Sequence, residues 1–163
     1  MAGITLVNLS EIARLEGDSA RAIESYERSL TYLDQVGDTF FIAVVLLNLG
    51  QSVQNLGDMA RAERLYRKSL ALGTATGSHQ VLATAVEKLA SVFAAKGELI
   101  RAAELLGAAA ALRRARNLSR QPVDQEDHER LEQALRTKLA AATLATAWQR
   151  GEQLAFADLL PSV

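Results

Sequence analysis

The sequence predicts an all-α protein: a superhelix of antiparallel helix hairpins, closed by capping helices at the carboxyl end. Three observations predict it. Gly17, Gly57 and Gly97 stand 40 residues apart, and Leu9/Leu49/Leu89, Arg21/Arg61/Arg101 and Ala22/Ala62/Ala102 keep the same interval, with Tyr26 and Tyr66 followed by Leu106. A second series, Gly37, Gly77 and Asn117, repeats at that spacing. Alanine, leucine, glutamate and arginine dominate, and the only prolines are Pro122 and Pro161, which favours helix nearly throughout and leaves no place for strands.

Each glycine or asparagine series marks a helix end, because these residues accept the left-handed conformation there. Asp18, Asp38, Asp58 and Ser78 follow directly and suit the amino-terminal cap of the next helix. Each repeat is therefore two helices. The first hairpin, 1–37, holds helices near Ala2 to Glu16 and Ser19 to Val36. The second, 38–77, holds Thr39 to Leu56 and Met59 to Thr76; the third, 78–117, holds Gln80 to Lys96 and Leu99 to Arg116.

Within a hairpin, Ala22, Ala62 and Ala102 let the second helix approach the first closely, while Tyr26 and Tyr66 fill the space one turn later. Glu24 with Arg28 and Glu63 with Arg67 are four apart on the solvated side. A hairpin with one apolar stripe per helix buries that stripe only by stacking on a neighbour, and stacking makes a solenoid.

The two ends depart from the register. Met1 aligns with Phe41, already inside a helix, and Ile4, Leu6, Val7, Leu9 and Ile12 spread around that helix more widely than a polar terminal cap allows. The favoured expectation is a fragment of a larger protein whose preceding repeats are missing. The alternative is a native start whose apolar helix is covered by a second copy in a homodimer. At the other end residues 1–121 close with the basic stretch Arg113, Arg114, Arg116 and Arg120, and Asp124, Glu126 and Asp127 open a new helix after Pro122. Local pairing of those arginines with that acidic stretch is expected. Leu131, Leu135 and Leu139, then Leu144 and Trp148, give residues 122–163 the apolar stripe of capping helices rather than of a fourth repeat.

The residues of the second repeat, Leu46, Leu49, Gly50 and Val53 followed by Ala62 and Tyr66, resemble the tetratricopeptide pattern, with Leu46 where that family usually has a bulky aromatic. The resemblance spans roughly residues 2 to 117. The 40-residue period is longer than is usual in the family, and the family's terminal proline is missing, as in a long-helix variant found in bacterial regulators. A narrower likeness lies in Ala102, Ala103, Glu104, Leu105, Leu106, Gly107, Ala108 and Ala109, with Ala147, Trp148, Gly151 and Leu160. These resemble the end of the repeat region in large bacterial ATP-binding (STAND-type) transcription regulators, where a DNA-binding domain and a nucleotide-switch ATPase are joined to repeats that receive the signal. Ala140 replaces a frequent helix-ending glycine of that group and Leu144 a frequent phenylalanine, so more continuous last helices are expected here.

The resemblance implies a right-handed superhelix whose first helices line a concave surface. The family's groove positions fall on Val7, Glu11, Arg14, Leu47, Gln51, Gln54, Asn55, Glu87 and Ser91. Members that bind chaperone tails clamp a terminal carboxylate with lysine and asparagine, and Val7, Glu11, Leu47, Gln51, Glu87 and Ser91 occupy those places here, which disfavours that ligand. An extended or helical peptide, or another domain of the same polypeptide, suits the surface better.

Composition narrows the function further. With 18 basic and 19 acidic residues in 163, the net charge of −1 provides no field for nucleic acid or an anionic membrane. Asn48, Gln51 and Gln54 interrupt the most apolar stretch, and residues 1–10 lack a signal-peptide pattern; with no cysteine present, a reducing cytoplasm is the expected location. No phosphate-loop motif appears, so no nucleotide cofactor is expected. His79 and His128 are isolated, which argues against a metal site, and the carboxylates Glu126, Asp127, Glu129 and Glu132 sit among Arg130 and Arg136 as a solvated face rather than as an acid–base pair. The two Asn-Leu-Ser sequences at Asn8 and Asn117 lie in or at helices and are not read as glycosylation sites. The expected role is binding, without catalysis.

Overall fold

The computed structural model describes residues 8, 10, 12–14 and 16–154, and every regular element among them is helical. Residues 8, 10 and 12–14 are helical. Seven helices follow: α1 Ser19–Val36, α2 Thr39–Asn55, α3 Met59–Thr76, α4 His79–Ala95, α5 Leu99–Arg116, α6 Pro122–Lys138 and α7 Ala141–Gln153. The chain forms two compact units, 1–81 and 82–163, with the boundary inside α4.

The helix ends are set by local chemistry. Asp18, Asp38 and Asp58 each cap the following helix by accepting a hydrogen bond from the backbone N–H three residues on, at 3.1, 3.1 and 2.9 Å. Ser78 makes the equivalent bond to Val81 N–H at 3.4 Å, and Glu98 makes no side-chain cap at all. Gly37 and Asn117 end α1 and α5 with left-handed φ values of 70° and 51°, the conformation that the repeat pattern requires of them.

In the first unit α2 packs against both α1 and α3. Ala22, Ala62, Tyr26 and Tyr66 are fully buried there, as the small-then-large spacing predicts. Gly50 lies flat against the ring of Tyr66, and a Cβ in its place would overlap that ring. Ser69 donates a 2.8 Å hydrogen bond to the Ala43 carbonyl, joining α3 to α2 inside the core. On the surface Arg67 pairs with Glu63 at 2.8 Å, and Arg61 reaches Glu27 of α1.

In the second unit α7 packs along α5 and touches α6 only slightly. Two glycines make that contact a backbone crossing: a Cβ on Gly107 would overlap the Trp148 carbonyl, and one on Gly151 would overlap the Glu104 carbonyl. The last two helices are not continuous. Leu139 (φ −111°, ψ 143°) and Ala140 (φ −59°, ψ 142°) are extended, so the chain breaks between α6 and α7, where more continuous helices are expected from the sequence. No glycine is needed, since both residues adopt ordinary extended backbone. The helix α6 is polar, and Leu135 is its one buried residue.

Among the described residues, no helix is long and apolar enough to cross a membrane. Of the apolar residues expected on the first helix, Ile12 is 51% exposed, while Ile4, Leu6, Val7 and Leu9 lie outside the described residues.

Candidate binding surface

The positions read as a groove meet different fates. Val7 and Glu11 lie outside the described residues. In the first unit Arg14 is half-buried. On α2, Gln51 donates to the Asn55 side-chain oxygen at 3.0 Å, and Asn55 is exposed. Gln54 accepts a 2.9 Å hydrogen bond from the Tyr66 hydroxyl, so it satisfies the polar end of a buried ring. Leu47 is 6% exposed and packs in the core, because α2 packs on two helices and has few positions left for solvent.

Glu87 is buried as well. In the second unit its carboxylate is 8% exposed and is closed by two arginines. Arg113, on the last turn of α5, meets it with a fork: Nε donates to Oε1 at 2.8 Å and Nη2 to Oε2 at 2.7 Å. The same guanidinium donates to the Thr84 hydroxyl at 3.2 Å and to the Ser119 carbonyl at 2.9 Å. Arg120, from the segment after α5, adds Nε to Glu87 Oε1 at 2.8 Å and an Nη2 contact at 2.7 Å. A carboxylate so deeply desolvated needs such partners.

The next residue carries the opposite charge outward to a different element. Lys88 Nζ lies 3.0 Å from Asp124 and 3.2 Å from Asp127, one turn apart at the start of α6. Ser91, the remaining groove position, is half-buried and donates to the Lys88 carbonyl at 2.7 Å. The basic stretch therefore does not pair with the acidic stretch beside it. Arg113 and Arg120 serve Glu87, Arg114 reaches Glu152 at 3.2 Å, and the aspartates serve Lys88. Arg120 keeps one local contact, to Gln125 at 3.4 Å.

His128 sits beside this network with its side chain 9% exposed, its Nε2 3.7 Å from Glu132, and its Nδ1 buried without a hydrogen-bond partner in the protein. Burial, and next the positive charge of Arg120, hold its pKa below the ordinary 6.5; Glu87 and Glu132 oppose that shift and Arg113 adds to it. His128 takes no part in a metal cluster: no group of three or more ligating side chains occurs among the described residues.

A shallow cleft of about 380 Å³ opens between α6 and α7, with Leu139, Leu144, Ala145 and Trp148 as its apolar floor and Glu132 and Arg136 at its edge.

Comparison with known families agrees on the repeats. Residues 5–38 match one tetratricopeptide repeat model and residues 41–115 match another. No curated protein matches the chain.

Proposed function

The chain carries a tetratricopeptide repeat domain, and from that premise we infer that it is the protein-binding, signal-receiving module of a larger bacterial transcription regulator. A repeat domain of this kind is an interaction module, and no enzymatic family is indicated by the matches. The observation that carries the reading is on α2: Gln51 and Asn55 form a side-chain pair at the surface of a helix whose other faces are core. A polar pair held in place on a rigid helix is suited to meeting a peptide or a neighbouring domain, with little ordering left to be done on binding. The regulator setting rests on the likeness of Ala102 to Ala109, Trp148 and Gly151 to the end of such repeat regions. Its mechanism is differential affinity: a signal shifts the switch between conformations by no more than its preference for one of them.

The encoding gene and its full-length product test this. A DNA-binding domain and a phosphate-loop ATPase in the same reading frame support it, and a frame with neither overturns it. In that full-length protein, Arg14→Glu combined with Asn55→Lys should abolish the response to signal while nucleotide binding persists.

A second reading, a homodimeric adaptor, is favoured by one observation, the exposed Ile12. Light scattering at micromolar concentration decides it: a monomer whose solubility is unchanged by Ile12→Glu rules the adaptor out.

A further inference from the structure

The helices α6 and α7 are each anchored to other elements and barely to one another. On α6, Leu135 is fully buried, the His128 side chain is 9% exposed, and Asp124 and Asp127 both meet Lys88 of α4. On α7, Ala147 and Gly151 are buried, Gly151 against the Glu104 carbonyl of α5. The two helices touch only slightly, and the extended Leu139 and Ala140 between them leave them splayed. The space so formed is the cleft of about 380 Å³, within the roughly 300–1,000 Å³ of small-molecule sites. Its floor is apolar: Leu139 at the junction, and Leu144 and Trp148 of α7, all half-buried. Since each wall is fixed from behind, the cleft is formed before anything enters it.

The rim decides what kind of molecule fits. Arg136 donates from Nη2 to Glu132 at 2.5 Å, yet its side chain is 63% exposed, so the rest of its planar fork of donors faces water at the cleft edge. Glu132, the one carboxylate there, is already engaged by Arg136 and lies 3.7 Å from His128 Nε2. Ala141 also lines the cleft, at the amino end of α7, where no side chain caps the first backbone N–H groups and no acidic residue stands in the first turn. Donors therefore outnumber acceptors around an apolar floor. We propose that the cleft binds a small organic anion with a flat apolar body: the body lies on Leu144 and Trp148, and the acid group takes the open side of the Arg136 guanidinium. The proposal rests on the signal-receiving reading and deepens it, by giving the signal a chemistry. An exposed ion pair such as Arg136 with Glu132 is worth little by itself, so sharing the guanidinium with a ligand costs the fold little.

The experiment uses the full chain and two fluorescent probes with the same aromatic body, anilinonaphthalenesulfonate, which carries an acid group, and N-phenyl-naphthylamine, which carries none. The sulfonate should bind one per chain at micromolar concentration and more tightly than the neutral probe. Arg136→Gln should weaken the sulfonate at least about tenfold and move the neutral probe by less than about twofold, because only the charged head meets the guanidinium. Arg150→Gln, on the other side of α7 beside Ile100, should leave both unchanged. Ala145→Glu, which sets a carboxylate in the cleft, should abolish sulfonate binding. Arg136, Ala145 and Arg150 are exposed, so these variants keep the fold, and circular dichroism checks that they do. Trp148, the one tryptophan, gives a single indole N–H signal in heteronuclear NMR that should shift on adding the sulfonate to wild type and stay in place in Ala145→Glu. Equal affinity for the two probes overturns the proposal, as does equal weakening by Arg150→Gln and Arg136→Gln. So does sulfonate binding that shifts Phe40 and Phe41 signals and leaves Trp148 unmoved, or no binding at all. Each of these failures bears on the cleft alone, since Gln51, Asn55 and the encoding reading frame test the module separately.

Discussion

Arg113 grips Glu87 with two parallel hydrogen bonds of 2.8 and 2.7 Å, both side chains less than a tenth exposed, across 26 residues of sequence. The pair joins the end of one helix to the middle of the preceding one. Removing either side leaves a buried charge without its main partner. Glu87→Ala should therefore cost about 3–5 kcal/mol in urea unfolding. Arg113→Lys, which keeps the charge and loses the fork, should also destabilise, but by less than Arg113→Ala. Equal stability of Arg113→Lys and wild type contradicts this account.

His128 gives the fold a dependence on pH. Its folded pKa lies below the 6.5 of a free imidazole, because burial and then Arg120 disfavour the charged ring. Between those two pKa values the unfolded chain binds more protons, so stability falls as pH drops below about 6.5 and the loss levels off below the folded pKa. The groups facing the ring are Arg120 before α6, Glu87 on α4, Glu132 on α6 and Arg113 on α5. Replacing His128 by Gln should flatten this part of the stability profile measured from about pH 7.5 to 5. An unchanged slope assigns the effect to other groups.

The crossing of α5 and α7 admits no side chain at either glycine. Gly151→Ala and Gly107→Ala should each destabilise by about 3 kcal/mol, the upper end for overpacking, because the obstructing atom is a backbone carbonyl that cannot rotate away. Trp148 emission should shift in both, since the tryptophan sits at the crossing. Retention of wild-type stability with a native emission maximum would refute the close approach.

The caps differ in strength, and the differences are measurable. Asp58→Ala should cost about 1 kcal/mol. Ser78, with its 3.4 Å bond, contributes less, and Ser78→Asp should raise the melting temperature slightly, restoring the cap that α2 and α3 have. A lower melting temperature for Ser78→Asp counts against the cap geometry.

The helices were legible because their ends are written locally. The expected second helices Ser19–Val36, Met59–Thr76 and Leu99–Arg116 are the observed α1, α3 and α5, since the left-handed Gly17, Gly57 and Gly97 before them and Gly37, Gly77 and Asn117 after them act within a few residues of the boundary. The site was less legible. The family's groove positions put Leu47 and Glu87 on a concave face, and a position carried over from a family is blind to what covers it in this chain. The sequence does carry one signal of their burial: Glu87 and Lys88 interrupt the apolar run from Val81 to Ala90, and two charges inside such a run require partners from elsewhere in the chain. The break at Leu139 left no such trace, because neither it nor Ala140 is a residue that ends helices by its own chemistry.

The bond from Arg113 to Ser119 and the contacts from Lys88 to Asp124 and Asp127 mean that the third hairpin does not end where its helices end. Cut after Asn117, it would lose Arg120 from Glu87; cut after Gln121, it would strand Lys88 from both aspartates. Anyone transplanting these repeats into another array must carry α6 along, or rewrite Glu87 and Lys88 as the uncharged pair that Leu47 and Asn48 form one repeat earlier. The smallest portable unit is drawn by charge balance, not by helix count.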